Sequence, residues 1–241
     1  MELSVLSWNV RGENERTKDY LEHVLGWLKD NMNDRQEVDF ILLQESLAKD
    51  NEGSLYRTLL EFLGYNVFKF REQSCGRGDC YLFAVKNDWT VGESEGYIPV
   101  WDPEQYSGST VIRCPYFIEV KKDSIQVRLI NFHNAFGLSG ISYACAEELA
   151  EVLNQQQEML TILAGDFNLL QDQMPDYPSL RSLINNRFDH ILTSPAMSYL
   201  GGEALDQDDE GRPLLWEYSE TDIGSINGSD HCALFGRYVL Q

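Results

Sequence analysis

Positive charge is what this chain has least of. Lysine and arginine together number 19 against 39 aspartates and glutamates, a net charge of −20 over 241 residues. A field of that sign repels polyanions rather than steering them in, which argues against a passive nucleic-acid coat. An enzyme acting on phosphates is still compatible with it, because a bound divalent cation inverts the local sign and acidic clusters hold such cations. Also lacking is any run of about 18 apolar residues that would span a membrane. The opening Met1-Glu2-Leu3-Ser4 carries an acid and leads straight into a strand pattern, unlike a secretory signal. The cysteines, Cys75, Cys80, Cys114, Cys145 and Cys232, are odd in number and unevenly spread, so no disulfide framework is expected. These absences predict a soluble protein of a reducing, cytoplasmic compartment. With no internal repeat, no linker-grade low-complexity segment and 43% hydrophobic residues to fill a core, a single domain over residues 1–241 is expected.

What is present is a recurring pattern, clearest in Thr161 to Asn168, T-I-L-A-G-D-F-N. Thr161, Ile162, Leu163 and Ala164 form a short apolar run of the kind buried on both faces of a sheet, and Gly165 permits a sharp exit. Asp166 and Asn168 therefore sit at a strand tip. If the backbone stays extended, residues two apart face one side, and the carboxylate and amide look into the same volume. The other reading is an Asx turn, in which Asp166 bonds its own backbone.

The pattern repeats along the chain. Glu2 to Trp8 alternates as a strand and ends on Asn9; Val38 to Leu43 is a buried strand followed by Gln44-Glu45; Ile125 to Phe132 alternates and runs into His133. Phe188 to Leu192 opens a strand with Asp189, and Ser229-Asp230-His231 leads into a last strand from Cys232 to Val239. Helical spacing marks Thr17 to Met32, Ser54 to Leu63 and Ser142 to Leu153. Further strands are expected at Tyr65 to Phe70, Cys80 to Val85 and Tyr116 to Val120, the last closing in a hairpin turn at Lys121 to Ser124. Few helices and several reversing strands predict two sheets packed face to face with helices outside. In such a sandwich, forward strands ending at one rim and reversed strands starting there bring the polar tips together.

Other features read more plainly. Arg77-Gly78-Asp79 matches an adhesive tripeptide, but three residues match by chance. Cys75 and Cys80 lack the further cysteine or histidine that a zinc site needs. The aromatic segment Tyr97 to Gly108 is either a substrate-facing loop or, the favoured reading, a cover for a sheet edge, and the acidic stretch Gly201 to Asp222 reads as a solvated loop. Arg11, Arg16 and Lys18 follow the Asn9 tip, where they either touch a phosphate backbone or belong to a solvated helix start.

The polar tips comprise oxygen ligands for a hard cation, a general base and donors for phosphoryl oxygens, the parts that phosphate-ester cleavage requires. Trp8-Asn9, Leu43-Gln44-Glu45, Arg113-x-Pro115, Asn131-Phe132-His133-Asn134, Gly165 to Asn168, Phe188-Asp189 and Ser229-Asp230-His231 together resemble the endonuclease/exonuclease/phosphatase superfamily, with the flavour of its deoxyribonuclease-I-like branch. The resemblance implies a four-layered α/β sandwich, two mixed β-sheets packed face to face with helices on the outside. It implies hydrolysis of phosphodiesters, most simply DNA, with Mg²⁺, or else Mn²⁺ or Ca²⁺. Glu45 would be the principal metal ligand, with Asn9 and Asp230 near the same cation. His231 would pair with Asp189, and either that pair or Asp166 would activate water. Asn168 would position the nucleophile or a phosphoryl oxygen. His133 would donate to the phosphate or to the leaving group, and Arg113 would contact a phosphate. A phosphatase or phosphodiesterase on a small nucleotide or phosphoinositide is the first alternative on the same scaffold, and a catalytically silent binding module that kept the fold is the second.

Overall fold

Leu6 and Trp8 of the first strand contribute to one apolar core, while Leu3 and Val5 of the same strand contribute to another. This period of two, repeated from strand to strand, sorts the chain into layers. The computed structural model describes residues 1–10, 12, 15–31, 37–46, 55–71, 80–100, 114–134, 139–155, 159–177, 180–186, 188–205, 231 and 233–240. In chain order the elements are β1 (Glu2–Asn9), α1 (Glu15–Asn31), β2 (Phe40–Gln44), α2 (Leu55–Phe62), β3 (Tyr65–Arg71), β4 (Cys80–Lys86), β5 (Thr90–Tyr97), β6 (Tyr116–Lys122), β7 (Ile125–His133), α3 (Ser139–Asn154), β8 (Leu160–Asp166), a 3₁₀ turn (Gln171–Gln173), β9 (Arg181–Asn186), β10 (Asp189–Thr193), β11 (Met197–Leu205) and β12 (Ala233–Leu240).

The strands form two six-stranded sheets, ordered β11-β12-β1-β2-β4-β3 and β5-β6-β7-β8-β10-β9. Each is antiparallel except for one parallel pair, β1 with β2 and β7 with β8. A parallel pair needs a crossover, and α1 and α3 supply the two. The sheets thus repeat one topology: β1, β2, β3 and β4 correspond to β7, β8, β9 and β10, and the hairpin β11–β12 corresponds to β5–β6. No sequence repeat accompanies the match, so the duplication lies in connectivity and not in side chains.

Three cores separate the layers. Leu21, Val24 and Leu28 of α1, with Leu59 and Leu60 of α2, cover Leu6, Ile41, Leu43 and Ala84 of the first sheet. Between the sheets lie Leu3, Val5, Phe40, Leu42, Phe83, Ile118, Leu129, Ile162 and Ile191. Ala146, Leu149 and Leu153 of α3 cover Ile130, Leu163 and Leu192 of the second sheet. Full burial of each such side chain stabilises the fold by about 1.5–3 kcal/mol relative to exposure. The result is the expected four-layered α/β sandwich. None of the described helices is long and apolar enough to cross a membrane.

Three strands lie outside the expected pattern, and all are at sheet edges. β5 is exposed along most of its length, with Glu93, Glu95 and two glycines, and it is held by backbone pairing to β6. Among the described residues β9 pairs only with β10. β11 begins before the expected acidic loop and takes in Gly201 to Leu205, with a register shift between Tyr199 and Gly201. An edge strand buries little on its outer side, so its hydrophobic alternation is weak. The tripeptide Arg77-Gly78-Asp79, Cys75, the rest of the aromatic segment beyond Val100 and the acidic cluster Asp206 to Glu210 lie outside the described residues. Cys145 is a buried free thiol.

Candidate active site

The ends of β1, β2, β7 and β8 and the start of β10 meet at one rim of the sandwich. Register alone places three side chains in a row there. Asp166, the last residue of β8, pairs with His133 on one side and with Asp189 on the other. Across the gap, Asn9 pairs with Gln44, the last residue of β2, and Glu45 follows in a left-handed conformation at φ 54°. A left-handed residue with a Cβ is disfavoured, and here it turns the chain out of β2 at the rim.

Asn9 joins the two sheets. Its Nδ2 donates to Asp166 Oδ2 at 3.0 Å and to Glu45 Oε1 at 3.3 Å. His133 Nε2 lies 3.3 Å from Glu45 Oε1 and 3.6 Å from Asp166 Oδ2. His231, just ahead of β12, sets its Nδ1 2.8 Å from Asp189 Oδ2 and its Nε2 3.6 Å from Asp166 Oδ2. Its backbone is held in turn, since the Trp8 indole N–H donates to the His231 carbonyl at 2.8 Å.

Of the two sequence readings of the Asp166 stretch the Asx turn forms, and it leaves the second carboxylate oxygen free to face the site. Oδ1 accepts the Asn168 backbone N–H at 2.9 Å, which is an Asx turn, while Oδ2 faces Asn9 and the two histidines. The extended backbone considered between Asp166 and Asn168 is not what forms, because Asn168 is left-handed at φ 51°. Its side chain is placed instead by donation from Nδ2 to the Asn134 carbonyl at 2.9 Å, and Asn134 Nδ2 donates to Ser142 of α3 at 2.7 Å. Gly165 makes the approach of β8 to β7 possible: a Cβ there would lie 1.9 Å from the Phe132 carbonyl oxygen.

Asp166 is wholly buried, and its carboxyl is pushed up to about 7, first by that burial and then by the Asp189 charge, against the lowering effect of His231. A carboxylate so placed, with Glu45 sharing its amide donor, is a negative site that a cation relieves. The donors are carboxylate and amide oxygens, which fit Mg²⁺, Mn²⁺ or Ca²⁺ better than zinc. Asp166, Asp189 and His231 offer ligand atoms within 4.8 Å of one another. The 2.8 Å contact between His231 and Asp189 is a hydrogen bond already using both atoms, so the oxygens of Asn9 and Glu45, beside the Asp166 carboxylate, are the better match for a hard cation.

Asn9, Glu45, His133, Asp166, Asn168, Asp189 and His231 are thus gathered at one place. Arg113 and Asp230 lie outside the described residues. Sequence reasoning quoted Trp8, Gln44, Asn131 and Asn134 within its motifs but gave them no role, and passed over Tyr81; in the structure these residues hold the set, Trp8 behind His231, Asn134 behind Asn168, and Tyr81, Gln44 and Asn131 beneath His133. The signals were slight. Gln44 and Asn131 are amides at inward positions of otherwise apolar strands, and Tyr81 is one aromatic among several.

A profile of the endonuclease/exonuclease/phosphatase family matches residues 6–231. The chain belongs to that family. All three activities in the family's description cleave phosphoester bonds. Comparison of the sequence with curated proteins finds no match. Solved structures share the fold at low identity. A family protein from Bacteroides thetaiotaomicron superposes with a TM-score of 0.69 at 17% identity, covering 100% of this chain and 98% of its own. D. rerio TDP2, solved with a single-strand DNA product, gives 0.64 at 14% identity, covering 99% of each chain. ANGEL2, described as a 2′,3′-cyclic phosphatase and solved with adenosine-2′,3′-vanadate, gives 0.66 at 14%, covering 100% of this chain and 96% of its own.

Proposed function

We propose that the chain hydrolyses phosphodiester bonds with a divalent cation, and that DNA is its substrate. The observation that carries the reading is the convergence on Asp166 Oδ2 of Asn9 Nδ2 at 3.0 Å, His133 Nε2 at 3.6 Å and His231 Nε2 at 3.6 Å, from both sheets. Glu45, Asn9 and Asp230 would hold the cation. When bound, Mg²⁺ or Mn²⁺ polarises a phosphoryl oxygen and neutralises the charge that develops there.

The chain's own groups account for the proton and the geometry. A carboxyl pushed up to about 7 is matched to general-base work near neutrality, and Asp166 has one oxygen, Oδ2, directed at the site. The attacking water gives its proton to Oδ2 as the new oxygen–phosphorus bond forms and the bond to the leaving oxygen breaks. Asn168, held by the Asn134 carbonyl, positions that water. Asp189 fixes the His231 ring through Nδ1, so that Nε2 faces the reacting volume and steadies the phosphorane oxygens. His133 Nε2 donates to the phosphate or to the leaving oxygen. Arg113, whose planar donors suit phosphate, would add a contact to it.

DNA is supported by the sequence resemblance at His133 and by the single-strand DNA product in the D. rerio structure. A net charge of −20 favours a second reading, a small phosphoester with little polyanionic character, in keeping with the cyclic phosphatase among the structural neighbours. The test is a substrate panel with Mg²⁺ or Mn²⁺: supercoiled plasmid, single-stranded oligonucleotide, a 2′,3′-cyclic nucleotide and a phosphoinositide. Nicked plasmid or shortened oligonucleotide is expected. Intact DNA beside turnover of a small phosphoester would replace DNA with the second reading, and no turnover of any substrate would remove the hydrolase.

A further inference from the structure

The proposed catalytic set is divided between two sheets. Asn9 and Glu45 come from the ends of β1 and β2, and His231 stands before β12, in the first sheet; His133, Asp166 and Asp189 belong to the second. Their spacing therefore depends on how one sheet sits on the other. Over most of that interface the contacts are apolar, as in Leu3, Val5, Phe83, Ile118 and Ile162, and apolar contact is non-directional. Something directional is needed at the rim.

Directly beneath the site, buried polar side chains cross from sheet to sheet. Gln44 Nε2 of β2 donates to Asn131 Oδ1 of β7 at 2.7 Å, and also contacts Ser7 Oγ at 3.3 Å and the Leu42 carbonyl at 3.2 Å. Asn131 Nδ2 donates back to the Leu43 carbonyl of β2 at 3.0 Å and to the Leu82 carbonyl of β4 at 3.3 Å. β6 stops pairing with β7 at Asn131, so the tip of β7 extends past that neighbour. The Tyr81 hydroxyl of β4 accepts the His133 backbone N–H at 3.1 Å. Gln44 is next to Glu45, and Asn131 is two residues before His133 on the same side of the strand.

We infer that Gln44, Asn131 and Tyr81 form an inter-sheet clasp whose work is to fix the distance between the two halves of the active site, Asn131 being its centre. They are positioning residues. One detail separates this from a role in stability: Gln44 Oε1 is buried with no hydrogen-bond partner among the described residues. An amide placed for stability would not bury an orphan oxygen, and replacing both members of such a pair by apolar groups of like shape is close to neutral for folding. The clasp costs stability that it returns as geometry.

The inference rests on the proposed hydrolysis for its kinetic readout only, and the test has a second readout free of it. Gln44→Leu, Asn131→Leu, the double variant and Thr193→Val, which removes another orphan hydroxyl away from the clasp, are compared with wild type. The double variant, which replaces both members, is expected to keep its melting temperature within about 4 °C. Each single variant, which strands its partner's buried polar atoms, should lose more than the double, and all three should show kcat lower by about 10- to 100-fold with KM little changed. The double variant should be no slower than the worse single, because the pair acts as a unit. Thr193→Val should match wild type in rate. Independently of turnover, Mn²⁺ binding followed by electron paramagnetic resonance should weaken in the clasp variants, and the His133 amide should exchange faster with deuterium. Unchanged kcat in a folded Asn131→Leu protein, or a rate loss only in proportion to lost stability, overturns the clasp. If wild type turns over no phosphoester, the proposed function fails and the clasp stands or falls on Mn²⁺ affinity and His133 exchange alone, unchanged values refuting it.

Discussion

His231 Nδ1 lies 2.8 Å from Asp189 Oδ2, although 42 residues separate the two in the chain. The carboxylate selects the ring orientation, and with it the nitrogen that faces Asp166. Asp189→Asn would offer the ring a donor in place of an acceptor. Activity should fall by about 10²- to 10⁴-fold with the fold intact, as expected for a mis-set tautomer. Steady-state kinetics beside a circular dichroism spectrum checks this; a loss under threefold would detach Asp189 from the chemistry.

Asp166 gives a pH signature to the metal-free protein. Its carboxyl is raised from 3.8 to about 7 in the fold, so the unfolded chain releases this proton at lower pH than the folded one. The stability it contributes is fully present below pH 3.8 and is lost as pH rises through about 7. In chelator, the stability of wild type relative to Asp166→Asn should therefore decline from pH 4 to pH 7, and Mn²⁺ should reverse the decline. Urea midpoints at several pH values measure it; a difference that rises over this window contradicts the burial argument.

His190 should behave in the opposite sense. It is wholly buried, and its Nε2 donates to the Leu169 carbonyl at 2.9 Å. Burial lowers its pKa below the ordinary imidazole value of 6.5, so its contribution to stability is present above pH 6.5 and is lost as pH falls through the lowered folded value. His190→Gln, which retains a donor, should flatten the acid limb of the wild-type curve below pH 6.5. An unaltered acid limb would show that His190 is not its source.

Gly165 allows no side chain. The Cβ of an alanine would meet the Phe132 carbonyl oxygen at 1.9 Å, and φ is +147°. Backbone of β7 or β8 must move, and with it His133 and Asp166, which are paired one residue further on. Gly165→Ala should cost more than about 4 kcal/mol in denaturant unfolding or fail to accumulate as folded protein, the range reserved for strain of this kind. A midpoint within error of wild type would mean that β7 and β8 are farther apart than described.

The strands that carry the site were legible because they are buried on both faces and stop on polar residues: Asn9, Glu45, His133 and Asp166 each break an apolar run. The two-sheet architecture followed from the same pattern. Of the edge strands, β3 was legible but β5, β9 and β11 were not; Thr90 to Tyr97 has almost no buried side chain to alternate and gains its place from pairing with β6. The fork between an Asx turn and an extended Asp166 could not be decided from residue types, because one carboxylate has two oxygens and the fold uses them differently. The duplicated topology left no trace either, for Asn9 and Gln44 occupy in the first sheet the places of His133 and Asp166 in the second. The bonds of Gln44 to Asn131 and of Tyr81 to His133 are long-range and cross between sheets, where no local spacing rule reaches.

The most direct test is cleavage of supercoiled plasmid by wild type, Asp166→Ala and His231→Ala, each with Mn²⁺ and each with excess chelator. Wild type is expected to nick the plasmid only in the presence of the cation, and both folded variants to fall by at least about 10³-fold. Wild-type cleavage that survives the chelator, or a folded variant that cuts as fast as wild type, would contradict a hydrolytic centre built on Asp166 and His231.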